Sequence, residues 1–80
     1  MKSDKLDIFF VRMRQRRRLL DITQANLDQK IEAARNTVAN IEKGQYPSTP
    51  RRLVAIAKAL DVSLDWLFGL TDDPTPPVAK

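Results

Sequence analysis

The 80-residue chain contains no cysteine and no histidine. Without cysteine there is no disulfide, no thiolate metal ligand and no cysteine nucleophile, and without histidine the commonest general base and metal ligand are absent too. We therefore expect neither an enzyme nor a protein that binds a metal or a cofactor. No apolar run reaches the roughly 20 residues that a membrane span needs, and no secretory signal pattern is present, so we expect no membrane partner and a cytoplasmic location.

Charge is plentiful but unevenly distributed along the chain. Residues 1–60 carry 13 basic and 6 acidic side chains, a net charge of +7, whereas residues 61–80 carry 1 basic and 4 acidic side chains, a net charge of −3. The first 60 residues are thus far more basic than the overall charge of +4 suggests. Such a balance favours a polyanionic partner.

No alternating apolar and polar pattern of the kind that strands require occurs in the sequence, whereas helical spacing recurs throughout. Cap residues, proline and apolar periodicity predict helices at about residues 5–20, after Thr23, at about 35–43, at about 50–60 and after Ser63. We therefore predict an all-α fold, a compact five-helix bundle that occupies residues 1–70. Residues 71–80 include three prolines and are predicted to form a Pro-rich flexible tail or linker.

The second and third predicted helices form the pattern of a helix-turn-helix within residues 22–44. A turn of about three residues, 32–34, separates them, and a second helix in that arrangement can lie in a DNA major groove. Its start carries hydrogen-bonding side chains and its rear carries Val38 and Ile41. The candidates for contacts with DNA bases are Arg35, Asn36, Thr37 and Asn40. Arginine matches the edge of guanine and asparagine that of adenine; the alternative is a polar helix face that contacts only solvent.

Three segments resemble the Cro/phage-repressor type of helix-turn-helix, also called the XRE family: Ile22-Thr23-Gln24 through Ile41-Glu42-Lys43-Gly44, then 53–67, then 68–74. The resemblance covers about residues 6–74. It implies a lambda-repressor-like DNA-binding domain and a sequence-specific transcriptional regulator, which we expect to act as a repressor. It also implies double-stranded DNA as the partner and a homodimer on a palindromic operator.

The resemblance also implies roles for single residues. Arg35, Asn36 and Asn40 match base-reading positions, with Thr37 beside them. Arg17 and Glu42 match a pair that forms a structural salt bridge between the first and third helices. The positions that match contacts with the DNA backbone are Gln24, Lys43, Tyr46 and Ser48. The position of Gln24 can also contact a base or the third helix.

Two positions depart from the family pattern, and a third is unfavourable for a helix start. Asp28 stands where a small residue is usual, and we expect its side chain to point to solvent or to pair with a cation. Glu32 stands where glycine is usual and must either adopt a left-handed conformation or change the shape of the turn. Ala34 is the expected cap of the third helix and is a poor one.

Two further groups of side chains have more than one interpretation. Arg12 and Arg16, in the arginine-rich first helix, are candidates for phosphate contacts or members of a solvated face. Trp66 and Leu70 fall outside the predicted core and suggest a dimer or partner surface, against ordinary packing. The alternative function is an antitoxin-like or adaptor module of the same fold, whose main partner is a protein.

Overall fold

The computed structural model describes residues 5–45, 47 and 49–76, with side chains from residue 8 onward. The chain forms five α-helices and, within the described residues, no strand: α1 (Lys5–Leu19), α2 (Gln24–Lys30), α3 (Thr37–Glu42), α4 (Pro50–Leu60) and α5 (Leu64–Leu67). The predicted all-α class and number of helices are confirmed.

The helices begin where side-chain caps and proline favour a start. Thr23, Thr49 and Ser63 each accept a hydrogen bond from the backbone N–H three residues later, and Pro50 occupies the first position of α4. A cap of this kind satisfies one of the N–H groups that the first turn of a helix leaves unpaired. Three helix starts thus lie where the sequence predicts them.

All five helices end in the same backbone arrangement. The residue after the last turn has a positive φ, and the next N–H returns to a carbonyl within that helix. The positive-φ residues at the five ends are Asp21, Glu32, Gly44, Asp61 and Gly69. A Cβ at Gly69 would also lie 2.9 Å from the end of the Ile8 side chain, which would have to shift to make room.

The predicted start of α3 is wrong by two residues. The helix begins at Thr37 rather than at Arg35, since Asn36 adopts a left-handed conformation (φ 68°) that a right-handed helix cannot contain. Ala34 is therefore not the cap residue; Asn36 is. The connection between α2 and α3 runs over residues 31–36 and is twice the expected length.

The core lies where all five helices meet. Residues that are almost fully shielded from solvent form it: Phe9, Met13, Leu27, Ile31, Val38, Ile41, Ile56, Ala57, Leu60, Val62 and Leu67. The Phe9 ring stacks on Phe68 with 5.3 Å between ring centroids. Helix α1 packs against α3, α4 and α5 and thereby holds both of the short helix pairs, α2–α3 and α4–α5.

Candidate nucleic-acid interface

The α2–α3 pair is joined to α1 by a buried ion pair. Arg17 donates from Nε to Glu42 Oε2 (2.6 Å) and from Nη2 to Glu42 Oε1 (3.1 Å), and from Nη1 to the carbonyl oxygen of Ile22 (2.9 Å). The side chains of Arg17 and Glu42 are 10% and 5% exposed. The ion pair implied by the family resemblance is therefore present. It explains why an arginine stands in the inward stripe of α1.

Glu42 remains ionised in this buried setting. Burial raises its pKa, but the hydrogen bonds from Arg17 and Gln24 and the charges of Arg17 and Arg14 outweigh that effect, so the pKa lies below its ordinary value of 4.5. Gln24 takes part through a hydrogen bond from Nε2 to Glu42 Oε1 (3.0 Å). One carboxylate thus holds α1, the start of α2 and the end of α3 in a single network.

Glu32 adopts the left-handed conformation, which is the first of the two possibilities given for this position. Its φ is 55°, and the carbonyl oxygens of Gln29 and Asp28 accept hydrogen bonds from the N–H groups of Glu32 and Ala33. The backbone therefore turns as it would around a glycine, at a cost of about 1–2 kcal/mol for the side chain. The first of the two alternatives for the turn is the correct one.

Our expectation for Asp28 is wrong. The residue is 7% exposed, and its carboxylate accepts hydrogen bonds from the backbone N–H groups of Asn36 (3.1 Å) and Val38 (2.8 Å). It neither points to solvent nor pairs with a cation. Backbone N–H groups at the start of α3 provide the compensation that a buried carboxylate needs.

The predicted base-reading residues lie together at the start of α3. Arg35 and Asn36 are in the turn, Thr37 is the first helical residue and Asn40 follows one turn later. Arg35, Asn36 and Asn40 are exposed, and their side chains make no hydrogen bond to the described part of the chain. The Thr37 hydroxyl donates to the carbonyl oxygen of Ala34 (2.7 Å) and keeps its acceptor capacity. Four polar side chains are thus presented in front of the buried Val38 and Ile41.

Among the predicted contacts with the DNA backbone, Gln24 begins α2 and Lys43 follows α3, and the hydrogen bond from Gln24 to Glu42 brings these two ends together. Gln24 is half-buried and bound to Glu42, whereas Lys43 is exposed directly after α3. Tyr46 and Ser48 lie outside the described residues.

The structure gives Arg12 and Arg16, the two arginines that we assigned to DNA phosphates, partners within the protein. Arg12 donates from Nη1 to the carbonyl oxygens of Trp66 (2.6 Å) and Thr71 (2.8 Å) and pairs with Asp72 (3.1 Å). Arg16 donates from Nε to the Leu60 carbonyl oxygen (3.0 Å). Both side chains point to the α4–α5 side of α1, where they donate to backbone carbonyl oxygens at or beyond the ends of α4 and α5.

Sequence reasoning did not single out Arg14 and Arg18, which occupy a different side of α1. Both are exposed, and the charge of Arg14 lowers the pKa of Glu42, so it acts on the α3 side. Arg18 and Thr23 both line a shallow depression beside the start of α2. A helix turns about 100° per residue, which separates this pair from Arg12 and Arg16. The angular position of each arginine around the axis of α1, measured from the inward Arg17, would have distinguished the two pairs from the sequence.

Trp66 is less exposed than the sequence suggests. It is partly buried against the core, and the Arg12 guanidinium lies 4.9 Å from the centre of its ring. Leu70 is 60% exposed. Leu70 is therefore the more exposed of the two side chains.

The described residues lack two structural features. They contain no helix that is long and apolar enough to cross a membrane. They also contain no cluster of acidic side chains, three or more together, that could hold a metal ion.

Comparison with known proteins places residues 13–67 in a helix-turn-helix family. The chain is 36% identical over 69 residues to the uncharacterized HTH-type transcriptional regulator YobD of Bacillus subtilis; the match covers 86% of this chain and 62% of YobD. It is 39% identical over 71 residues to the HTH-type transcriptional regulator DicA of Escherichia coli, covering 86% of this chain and 53% of DicA. An uncharacterized HTH-type transcriptional regulator of Methanocaldococcus jannaschii is 35% identical over 57 residues, which is 71% of this chain and 86% of that protein.

The chain spans between half and two thirds of the length of the first two relatives. The matched residues 13–67 include the α2–α3 pair, its ion pair with α1, and all of α4 and α5. This chain therefore belongs to the Cro/C1-type (XRE) helix-turn-helix family of DNA-binding transcriptional regulators.

Proposed function

We propose that this protein is a sequence-specific transcriptional regulator that reads the DNA major groove with the start of α3. The observation that carries the proposal is the set of exposed, uncommitted side chains of Arg35, Asn36 and Asn40 in front of a buried apolar rear. A single helix fits the major groove, and its N-terminal side chains reach the base edges. Thr37 would add a contact to a phosphate or to a thymine methyl group. The protein acts by binding and not as an enzyme.

Contacts with the phosphate backbone would lie beside the base-reading side chains. We call these side chains the reading head: Arg35, Asn36, Thr37 and Asn40. Lys43 and Gln24 supply the phosphate contacts where the start of α2 meets the end of α3, with Tyr46 and Ser48 in the segment of sequence that follows α3. Arg14 and Arg18 take the part first assigned to Arg12 and Arg16, since they are exposed on the side of α1 that faces α2 and α3. Such contacts fix the register of the protein on the duplex and carry no sequence information.

A homodimer on a palindromic operator fits the exposed Leu70 at the opposite end of the domain. The close approach of Gly69 to Ile8 puts Leu70 beside the first half of α1, where Val11 is 47% exposed. Two copies related by a two-fold axis would read half-sites about one helical turn, roughly 34 Å, apart. Repression follows from occupancy, because a protein bound in the groove excludes other proteins from the same bases.

Selection of bound sequences from a random DNA pool tests the proposal. A single enriched motif with two-fold symmetry is the expected result. Arg35→Ala should then relax the preference at one base position while leaving non-specific binding nearly unchanged. Lys43→Ala should weaken binding to all sequences alike and reduce the salt dependence of the affinity. Uniform loss of affinity in both variants would show that the base-reading assignment is wrong.

The exposed leucines favour a second candidate function, a module of the same fold whose main partner is a protein. Leu19 is 71% exposed and Leu70 60% exposed. Salt-insensitive binding to a protein, together with no enrichment of any DNA sequence, would favour this alternative. The two functions can coexist in one chain, since the leucines and the start of α3 are separate surfaces.

A further inference from the structure

Asp28 is a buried carboxylate next to the start of α3, and none of the assigned DNA contacts explains why a charged residue is buried there. It lies on α2, is 7% exposed, and binds backbone N–H groups eight and ten residues further along the chain. The two N–H groups belong to Asn36 and Val38, which flank Thr37, the first residue of α3. The carboxylate therefore clamps the backbone at the point where the predicted reading head begins.

The N-cap residue of α3 does not cap the helix with its own side chain. Asn36 precedes the helix in a left-handed conformation, and its side chain makes no capping hydrogen bond. In contrast, Thr49 and Ser63 cap α4 and α5 with their own hydroxyls. Asp28 supplies from a neighbouring helix what these residues supply locally, and its negative charge suits the positive end of a helix.

This arrangement leaves the Asn36 side chain available to an outside partner. An N-cap asparagine normally uses its side-chain oxygen to bind the helix that it precedes. Here Asn36 keeps that oxygen uncommitted. Arg35 and Asn36 also lie in a turn rather than in a helix. The Asn36 backbone is held by two bonds: its carbonyl oxygen accepts from the N–H of Asn40 (3.0 Å), and its N–H donates to Asp28 (3.1 Å).

We propose that Asp28 is a positioning residue for sequence readout. Its carboxylate fixes the backbone from Asn36 to Val38 and thereby sets the directions in which Arg35 and Asn36 point toward the bases. The inference rests on the proposed DNA-reading function and assigns a specificity-determining role to a residue that does not touch DNA.

Removing the Asp28 charge has opposite consequences for two kinds of binding. A negative charge near the groove repels phosphates, so its loss leaves non-specific affinity unchanged or makes it tighter. Loss of the clamp misplaces the side chains that contact bases, so specific affinity falls. The ratio of specific to non-specific affinity is therefore the informative quantity, because a change in stability alone does not alter this ratio in the folded protein.

The experiment begins with the wild-type protein and a random DNA pool. The enriched duplex and a scrambled duplex of equal length are then titrated with four proteins: wild type, Asp28→Ala, Asp28→Asn and Ser63→Ala. Asp28→Ala should lower the specificity ratio about ten-fold or more. Asp28→Asn keeps one acceptor oxygen and the same shape, so its ratio should lie between those of Asp28→Ala and the wild type. Ser63→Ala also removes a helix cap, but far from the reading head, and should keep the wild-type ratio.

The possible failures can be told apart. A wild-type protein with no preferred sequence overturns the proposed function and the positioning role with it. A wild-type preference that Asp28→Ala retains in full overturns the positioning role alone. If Asp28→Ala does not fold, Asp28→Asn carries the test: a reduced ratio in a folded Asp28→Asn protein supports the role, and an unchanged ratio overturns it.

Discussion

The two short helix pairs, α2–α3 and α4–α5, differ in how the second helix of each pair begins. In both, an acidic residue with a positive φ ends the first helix, Glu32 in one and Asp61 in the other. Helix α5 then begins at once with Ser63, whose own hydroxyl caps it. Helix α3 begins only after a second left-handed residue, Asn36, and takes its cap from Asp28. The local cap uses the polar side chain of the N-cap residue itself, whereas the remote cap leaves the Asn36 side chain without a capping bond.

Arginines of α1 hold the two pairs by different chemistry. Arg17 binds the carboxylate of Glu42, a side chain of the α2–α3 pair, and both partners are nearly buried. Arg12 and Arg16 bind backbone carbonyl oxygens of the α4–α5 pair and its continuation and are only partly buried. A buried charge pair is far more sensitive to the loss of one partner than a hydrogen bond to a carbonyl at the surface. The α2–α3 side should therefore be the more fragile attachment.

The largest expected effect comes from breaking that buried pair. Arg17→Ala leaves the Glu42 carboxylate without its cation, and the free energy of unfolding should fall by about 3–5 kcal/mol. Urea denaturation followed by circular dichroism measures the loss. Arg18→Ala, the exposed neighbour, is the matched control and should change stability by less than about 0.5 kcal/mol. Equal losses in the two variants would contradict the difference in attachment.

Arg12→Ala should have the next largest effect, on the α4–α5 side. It removes two hydrogen bonds to carbonyl oxygens, the contact with the Trp66 ring and an exposed ion pair, which together should lower stability by about 2–3 kcal/mol. DNA affinity of the folded protein should remain at the wild-type level. A marked loss of affinity with little loss of stability would restore Arg12 to the DNA interface.

Acid should weaken the α2–α3 attachment selectively. The pKa of Glu42 is lower in the folded protein than its ordinary value of 4.5, so its contribution to stability is complete above about pH 4.5 and is lost as the pH falls through the folded-state pKa. The loss should be smaller than that of Arg17→Ala, because the neutral carboxyl still accepts hydrogen bonds. Unfolding free energies measured from pH 7 to pH 3 should show a decline that is shallower in Glu42→Gln. An identical decline in that variant would assign the effect to other groups.

The smallest expected effect is a gain in stability at the two turns. Glu32→Gly removes the strain of a positive φ, and the unfolded chain gains entropy in partial compensation, so we expect a net stabilisation of about 0.5–1 kcal/mol. Asp61→Gly should stabilise less, since aspartate tolerates the left-handed region better than glutamate does. Thermal melts of the two variants compare the turns directly, and a destabilised Glu32→Gly would mean that its side chain holds the turn.

Local signals in the sequence predicted most of the fold. Thr23, Thr49, Pro50 and Ser63 mark helix starts through bonds within three residues, and such short-range chemistry can be recognised without a structure. The start of α3 could not be predicted in this way, because the Asn36 side chain makes no capping bond and the cap comes from Asp28, eight residues earlier. Remote bonds of this kind become visible only when the helices are packed together.

The same distinction explains the outcome at the candidate site. The periodicity that places Val38 and Ile41 in the core also places Asn40 at the surface, so exposure of the reading face follows from sequence. The targets of Arg12 and Arg16 do not follow, since an arginine-rich helix has several outward directions and only packing decides which carbonyl groups lie within reach. The pair of Arg17 with Glu42 was accessible through the family resemblance.

The bonds made by Arg12 also set where the chain leaves the domain. Arg12 holds Thr71 and Asp72, and the carbonyl oxygen of Pro74 accepts from the N–H of Ser63 (3.0 Å). A tether is counted from its first unattached residue, and the distance it can span grows with the square root of its free length. For any module joined beyond this stretch, residues 71–74 belong to the fixed part of the domain and do not add to the free length of the linker. The effective concentration of that module near the DNA would therefore depend on where Pro74 is held. Loss of the Arg12 bonds would lengthen the free linker without changing the start of α3.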